Sequence, residues 1–338
     1  MKIFSNSTCI CFSVAALFAL SACNNDLVLF DEIIESPVIY SLLAVSDTAH
    51  YVRLERTFAD ETRSAVELAQ DENAVFYQDV TVELIDENDV RFVLNRINAV
   101  DDGYVRKPGD FLTDPNVLYK INADDINLRP NETYDVEIKR EDDILASSST
   151  VVLEDSRIRI PVLTNGARRL SFSLTQPTPI GWFKVESASS YAISFDFVIR
   201  ERNLNTGVNE DIMLRWDATS LIDETGSGSS QTADLDGTSF YQFLSSRLDV
   251  DPNINRQMIN ISLRITSYGS EIGAYLDIIN ANAGITSAQE VPVFTNVEDG
   301  FGLFSSINET VAQGVSLTNA SLEELYDGDI TDALNFTP

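Results

Sequence analysis

The chain is poor in the side chains from which most enzyme centres are built. Its 338 residues include one histidine, His50, and three cysteines, Cys9, Cys11 and Cys23. All three cysteines sit at the extreme N-terminus, so the rest has no thiol for a disulfide, a thiolate metal site or a cysteine nucleophile. With one histidine, a Ser-His-Asp relay or a multi-histidine zinc site lacks parts unless His50 itself is catalytic, and a lone histidine in a strand-like run is far more often structural. No glycine loop of the phosphate-cradling kind is present. The composition therefore predicts no metal, no cofactor and no catalytic residue, and the chain does not read as an enzyme. Basic residues are scarce as well. The 23 Lys and Arg stand against 53 Asp and Glu, a formal net charge of −30, which argues against nucleic acid as a partner. The acidic residues are spread rather than blocked, and 44% of the chain is hydrophobic, which predicts a globular protein rather than a disordered one.

What is present begins with Leu20-Ser21-Ala22-Cys23. A lone Lys2, an apolar run over residues 14–20 and small residues ahead of a cysteine make the lipobox of a bacterial lipoprotein signal, too short for a transmembrane helix. Residues 1–22 read as the signal peptide, and residues 23–36 as a lipidated tether. Acylation of Cys23 would anchor the chain to the membrane, since two or more acyl chains hold firmly at about 0.8 kcal/mol per buried methylene. Asn24 stands where an inner-membrane retention signal would carry aspartate, which favours the outer membrane, with the displayed face left open.

Beyond the tether the dominant signal is alternation with period two. Pro37-Val38-Ile39-Tyr40-Ser41-Leu42-Leu43 and His50-Tyr51-Val52-Arg53-Leu54-Glu55-Arg56 read as a hairpin across Ser46-Asp47-Thr48. A short helix is predicted over residues 61–70, and strands over 80–85, 90–94 and 147–153. Leu128-Arg129-Pro130-Asn131-Glu132-Thr133-Tyr134, leading into alternating Val136 and Ile138, has the form of a tyrosine corner. These features predict a mainly β protein: an immunoglobulin/fibronectin III-like β-sandwich over residues 37–155, then a second β-rich domain with two short helices over 156–338. In that second part Tyr191, Ile193, Phe195, Phe197 and Ile199 share one face of a long strand, and Asn205-Thr206-Gly207 turns it into Ile212 to Trp216. Residues 225–236 read as an exposed loop. The two helices are marked by Phe240, Phe243, Leu244 and Leu248, and by Ile272, Tyr275, Leu276 and Ile279, the latter starting near Ser270 and ended by Gly284.

Candidate sites are few. Trp182 and Trp216 have the shape of sugar-stacking platforms but lie in phase with core positions. Asp234-Leu235-Asp236-Gly237 has calcium-ligand residues without the glycine placement or closing glutamate of an EF-hand. Gly300 to Gly302 with Phe301 and Phe304 is the candidate ligand-contact segment, set against the alternative that both phenylalanines close the second core.

Several stretches together resemble a family of Bacteroidota outer-membrane lipoproteins described as a domain of unknown function. They are residues 37–43 with Ser46-Asp47-Thr48, Val66-Glu67-Leu68-Ala69-Gln70 ahead of Tyr77, the corner at 128–134, and Asn296-Val297-Glu298-Asp299-Gly300-Phe301-Gly302-Leu303-Phe304. The family tends to show Gly-Gly-Leu-Gly where this chain has Asp299-Gly300-Phe301-Gly302. The resemblance covers most of the mature chain and implies a lipid-anchored accessory protein that assists nutrient capture with a TonB-dependent transporter; it carries no catalytic residues over. A surface structural or adhesin-like role and a carboxylate-based glycoside hydrolase are the alternatives.

Overall fold

The computed structural model describes residues 35–60, 62–164, 166–282 and 293–338. Cys23, the lipobox, most of the tether and Gly284 lie outside the described residues. The chain is mainly β.

The first half builds a sandwich by crossing between two sheets after each hairpin. β1 (Pro37–Leu43) pairs antiparallel with β2 (Ala49–Arg56), placing Ile39 opposite Leu54. The chain then crosses to β3 (Thr81–Asp86) and β4 (Arg91–Val93), returns as β5 (Asn95–Asn98) and β6 (Val117–Asn122), and crosses again to β7 (Thr133–Arg140) and β8 (Asp143–Val151). The orders are β1-β2-β6-β5 and β4-β3-β7-β8. That strand order is the Greek key of immunoglobulin and fibronectin III sandwiches. Alternation drives the packing. On β7, Tyr134, Val136 and Ile138 are buried against Ile39, Leu54, Val82 and Leu84. The residues between them point to solvent, where Glu137 pairs with Arg91 at 2.6 Å and Lys139 with Glu83 at 2.9 Å. The tyrosine corner is present: Arg129 donates its backbone N–H to the Tyr134 hydroxyl at 3.2 Å, just before β7.

The helix predicted over 61–70 is shorter. Ser64 and Glu67 form a reciprocal capping box, so α1 (Ala65–Ala69) starts at residue 65 and buries Leu68 and Ala69 while Ala65 stays exposed. Asp71 caps a second turn, α2 (Glu72–Val75), and α3 (Ala123–Ile126) follows β6.

The second half is a long twisted sheet and a small one around an aromatic core. After β9 (Arg157–Ile160) come β10 (Leu163–Thr164), β11 (Ala167–Leu170) and β12 (Thr178–Phe183). β13 (Ala188–Asn203) is flanked by β14 (Asn209–Asp217) and, further along in sequence, β17 (Ile254–Gly269), with β15 (Ile222–Asp223) at its start. β16 (Ser230–Leu235) pairs with β12, correcting the expectation that residues 225–236 are all loop. α4 (Gly237–Arg247) inserts Phe240 and Leu244 into the core, where Phe240 stacks on Phe172 at 4.3 Å. α5 (Ser270–Asn282) buries Ile272. A third helix, α6 (Asn319–Asp327), was not expected; Thr318 caps it by accepting from the Ser321 amide.

β18 (Phe301–Leu317) joins the two halves. Its first six residues pair parallel with β1, Val38 opposite Phe301 through Leu43 opposite Ser306, and its later residues pair antiparallel with β17. Phe304 thus fills the first core and Val315 and Leu317 the second. The sandwich of residues 37–155 is therefore completed by residues from the far end of the chain.

Candidate functional site

The most distinctive sequence motif, Asn296 to Phe304, closes the sandwich. Asn296 donates its side-chain amide to the Phe304 carbonyl at 2.7 Å and accepts the Phe304 N–H at 3.0 Å. Glu298 bonds both ways with Ser147 on β8, at 2.8 and 3.2 Å, and Val297 enters the core. The segment thus touches β8 in one sheet and β1 in the other. Gly302 has φ +119, and a Cβ there would lie 1.9 Å from the Ile39 carbonyl oxygen, so glycine alone lets the backbones approach. Phe304 is fully buried in the first core, which corrects its candidacy as a contact residue and also the alternative that it closes the second core. Phe301 is 42% exposed and stays at the surface.

The remaining candidates resolve into packing. Trp182 and Trp216 are core residues, Trp182 beside Tyr191 at 5.2 Å and Trp216 stacked on Phe195 at 5.5 Å. Asp236 accepts from the Thr238 amide at 2.9 Å as the N-cap of α4. A Cβ on Gly237 would fall 2.3 Å from the Ser173 carbonyl oxygen, so this glycine seats the helix against a neighbouring loop. His50 is buried opposite Ile121, neither ring nitrogen meets a described hydrogen-bond partner, and burial pushes its pKa below the ordinary value.

A site the sequence did not single out lies on the outer face of β1, β2, β6 and β18. Tyr40, Leu42, Tyr51, Leu118 and Leu303 line a shallow dish of about 360 Å³, with Asp47 and Arg53 at its margin. Tyr40 and Leu42 are each 42% exposed. The parallel register sets Tyr40 beside Leu303, and Phe301 continues the apolar face beside Val38. The rim is fixed before anything binds. Arg53 donates to Asn116 Oδ1 at 2.9 Å and to Glu55 at 3.2 Å, Arg106 reaches Glu55 at 2.9 Å, and Tyr104 packs edge-on to Tyr51 at 5.3 Å. Burial, then the Glu309 carboxylate, holds the Asp47 carboxyl above its ordinary pKa, and burial raises that of Tyr40. An apolar floor within a polar rim is the anatomy of a contact surface. The sequence signal was present: β1 is apolar on both phases, which a strand with one solvated face has no need to be.

No family model matches the chain, and no curated protein matches it. Among solved structures, a DUF4785 family protein from Legionella pneumophila subsp. pneumophila str. Philadelphia 1 is 13% identical over 65% of this chain and 48% of its own, with a TM-score of 0.17. The chain thus spans about half the length of that protein. The FN1–FN3 domains of chicken CNTN1 are 8% identical over 83% of this chain and 67% of theirs, also with a TM-score of 0.17. At that score neither likeness defines anything; strand order and the tyrosine corner define the sandwich.

Proposed function

We propose that the chain is a lipid-anchored accessory protein of the outer membrane that binds a partner and assists nutrient capture beside a TonB-dependent transporter. The observation that supports binding most is the Tyr40–Leu42 dish, an apolar surface with preset ion pairs around it on a strongly acidic protein. Complementary surfaces of this kind gain affinity from desolvating the apolar centre, while the charged rim sets orientation. The location rests on Leu20-Ser21-Ala22-Cys23, and the transporter on the family resemblance. Pro37 follows Cys23 by fourteen residues, which keeps the first strand within about 50 Å of the anchor even at full extension.

The anchor is tested by Cys23→Ala. The substituted chain is expected in the soluble periplasmic fraction and the wild type in the membrane fraction, released by detergent. Equal membrane association of both would remove the lipoprotein reading.

A further inference from the structure

Arg157, Arg159, Arg168 and Arg169 fall close together in a chain with more than twice as many acidic as basic residues, yet none pairs with a carboxylate among the described residues. Basic side chains elsewhere commonly do: Arg91 with Glu83 and Glu137, Arg200 with Asp211, Arg264 with Asp196 and Glu309. In so acidic a chain, a basic cluster free of carboxylates is unusual enough to need a cause.

Two of these arginines face one cavity of about 550 Å³, which Leu163, Phe183, Val311 and Gln313 also line. Its wall is formed where β18 departs from regular pairing. Ile261 faces Val315 and Leu263 faces Ala312, so Gln313 and Gly314 bulge out, with Gly314 at φ +65. Bulges of this kind re-aim side chains and recur beside binding sites. Both arginine heads are held in advance. Arg157 stacks on Phe183, its guanidinium carbon 4.7 Å from the ring centroid, and Arg168 donates through Nη1 to the Pro161 carbonyl. Each guanidinium has five N–H donors, more than these contacts use. Two fixed guanidinium groups without counter-charge are complementary to an oxygen anion, which arginine engages through paired hydrogen bonds.

We infer that this cavity binds the oxyanion of a ligand, a carboxylate, sulfate or phosphate, with an adjoining apolar or ring portion resting on Leu163 and Phe183. The inference deepens the proposed function by giving the charge class of the captured ligand, and it rests on the reading of the chain as a binding protein. Titration calorimetry on the full-length, detergent-solubilised chain tests it with sulfate, phosphate and a galacturonic acid trisaccharide, and maltotriose as the neutral control. At least one anion is expected to bind saturably, and which one it is separates tetrahedral from carboxylate ligands. Arg157→Ala and Arg168→Ala should each weaken binding by about tenfold or more, while Arg202→Ala, remote in sequence and also without an ion pair among the described residues, should leave it unchanged. Wild-type affinity should fall as sodium chloride is raised, a readout that holds even if an arginine variant loses its fold. The inference is overturned if no anion binds up to about 10 mM, if maltotriose binds as well as the tightest-binding anion, if folded variants bind like wild type, or if affinity ignores salt. Such a failure would leave the partner reading intact, because that reading uses the Tyr40–Leu42 face and not this cavity.

Discussion

Asn296 holds Phe304 by both polar groups of its backbone, donating to the carbonyl at 2.7 Å and accepting from the amide at 3.0 Å. A side chain here does what a neighbouring strand would do, at the point where β18 enters the sandwich beside β1. Asn296→Ala leaves two backbone groups of a buried residue unpaired, at about 1–3 kcal/mol each. The expected loss is about 2–4 kcal/mol in urea denaturation. A midpoint equal to wild type would show that the clasp contributes nothing.

The same segment separates a packing residue from a surface one. Phe304 is fully buried, so Phe304→Ala should cost about 3–5 kcal/mol. Phe301 is exposed at 42%, and Phe301→Ala should stay within about 0.5 kcal/mol. Equal melting midpoints for the two variants would contradict the register of β18 on β1.

Tyr134→Phe removes the acceptor of the Arg129 amide and should destabilise the protein by about 1–3 kcal/mol. The second half repeats the device at β13: the Tyr191 hydroxyl accepts the Val185 amide at 2.9 Å, in a fully buried setting. Tyr191→Phe is expected to cost at least as much as Tyr134→Phe. Thermal melts of the two single variants check both.

His50 gives stability a slope in mild acid. Burial lowers its folded pKa below the ordinary 6.5, so above 6.5 neither state holds the proton and the folded state is not penalised. As pH falls below 6.5 the unfolded chain takes the proton first, and stability is lost toward the lowered folded value. Glu137, whose pKa the Arg91 contact holds below 4.5, acts in a separate and more acidic window. His50→Gln should flatten the stability profile between pH 7.5 and 5.5, measured by urea midpoints. An unchanged slope would place the titrating group elsewhere.

Local signals were legible in the sequence and long-range ones were not. The corner before Tyr134 and the face Tyr191 to Ile199 are short patterns that state their own geometry, and both are realised. β6 gave no alternation because Val117, Leu118, Tyr119 and Ile121 are all buried, so it escaped notice. The strand β16 was masked by the Gly and Ser residues that precede it. Phe304 pointed to the wrong role because its partner strand, β1, lies some 260 positions away, and parallel pairing at that distance leaves no local periodicity. The dish on the outer face depends on the same pairing, since Leu303 reaches Tyr40 through it. Only the doubled apolar phase of β1 hinted that its outer side is used.

The most direct test is affinity purification of the full-length lipidated chain from native membranes, run in parallel with Leu42→Asp. Leu42 is 42% exposed on the dish, so the substitution should change the surface and not the fold. A TonB-dependent transporter should be enriched with wild type and strongly reduced with Leu42→Asp. Absence of any such transporter with the wild-type chain, or its equal recovery with both chains, would contradict the proposed role of this face.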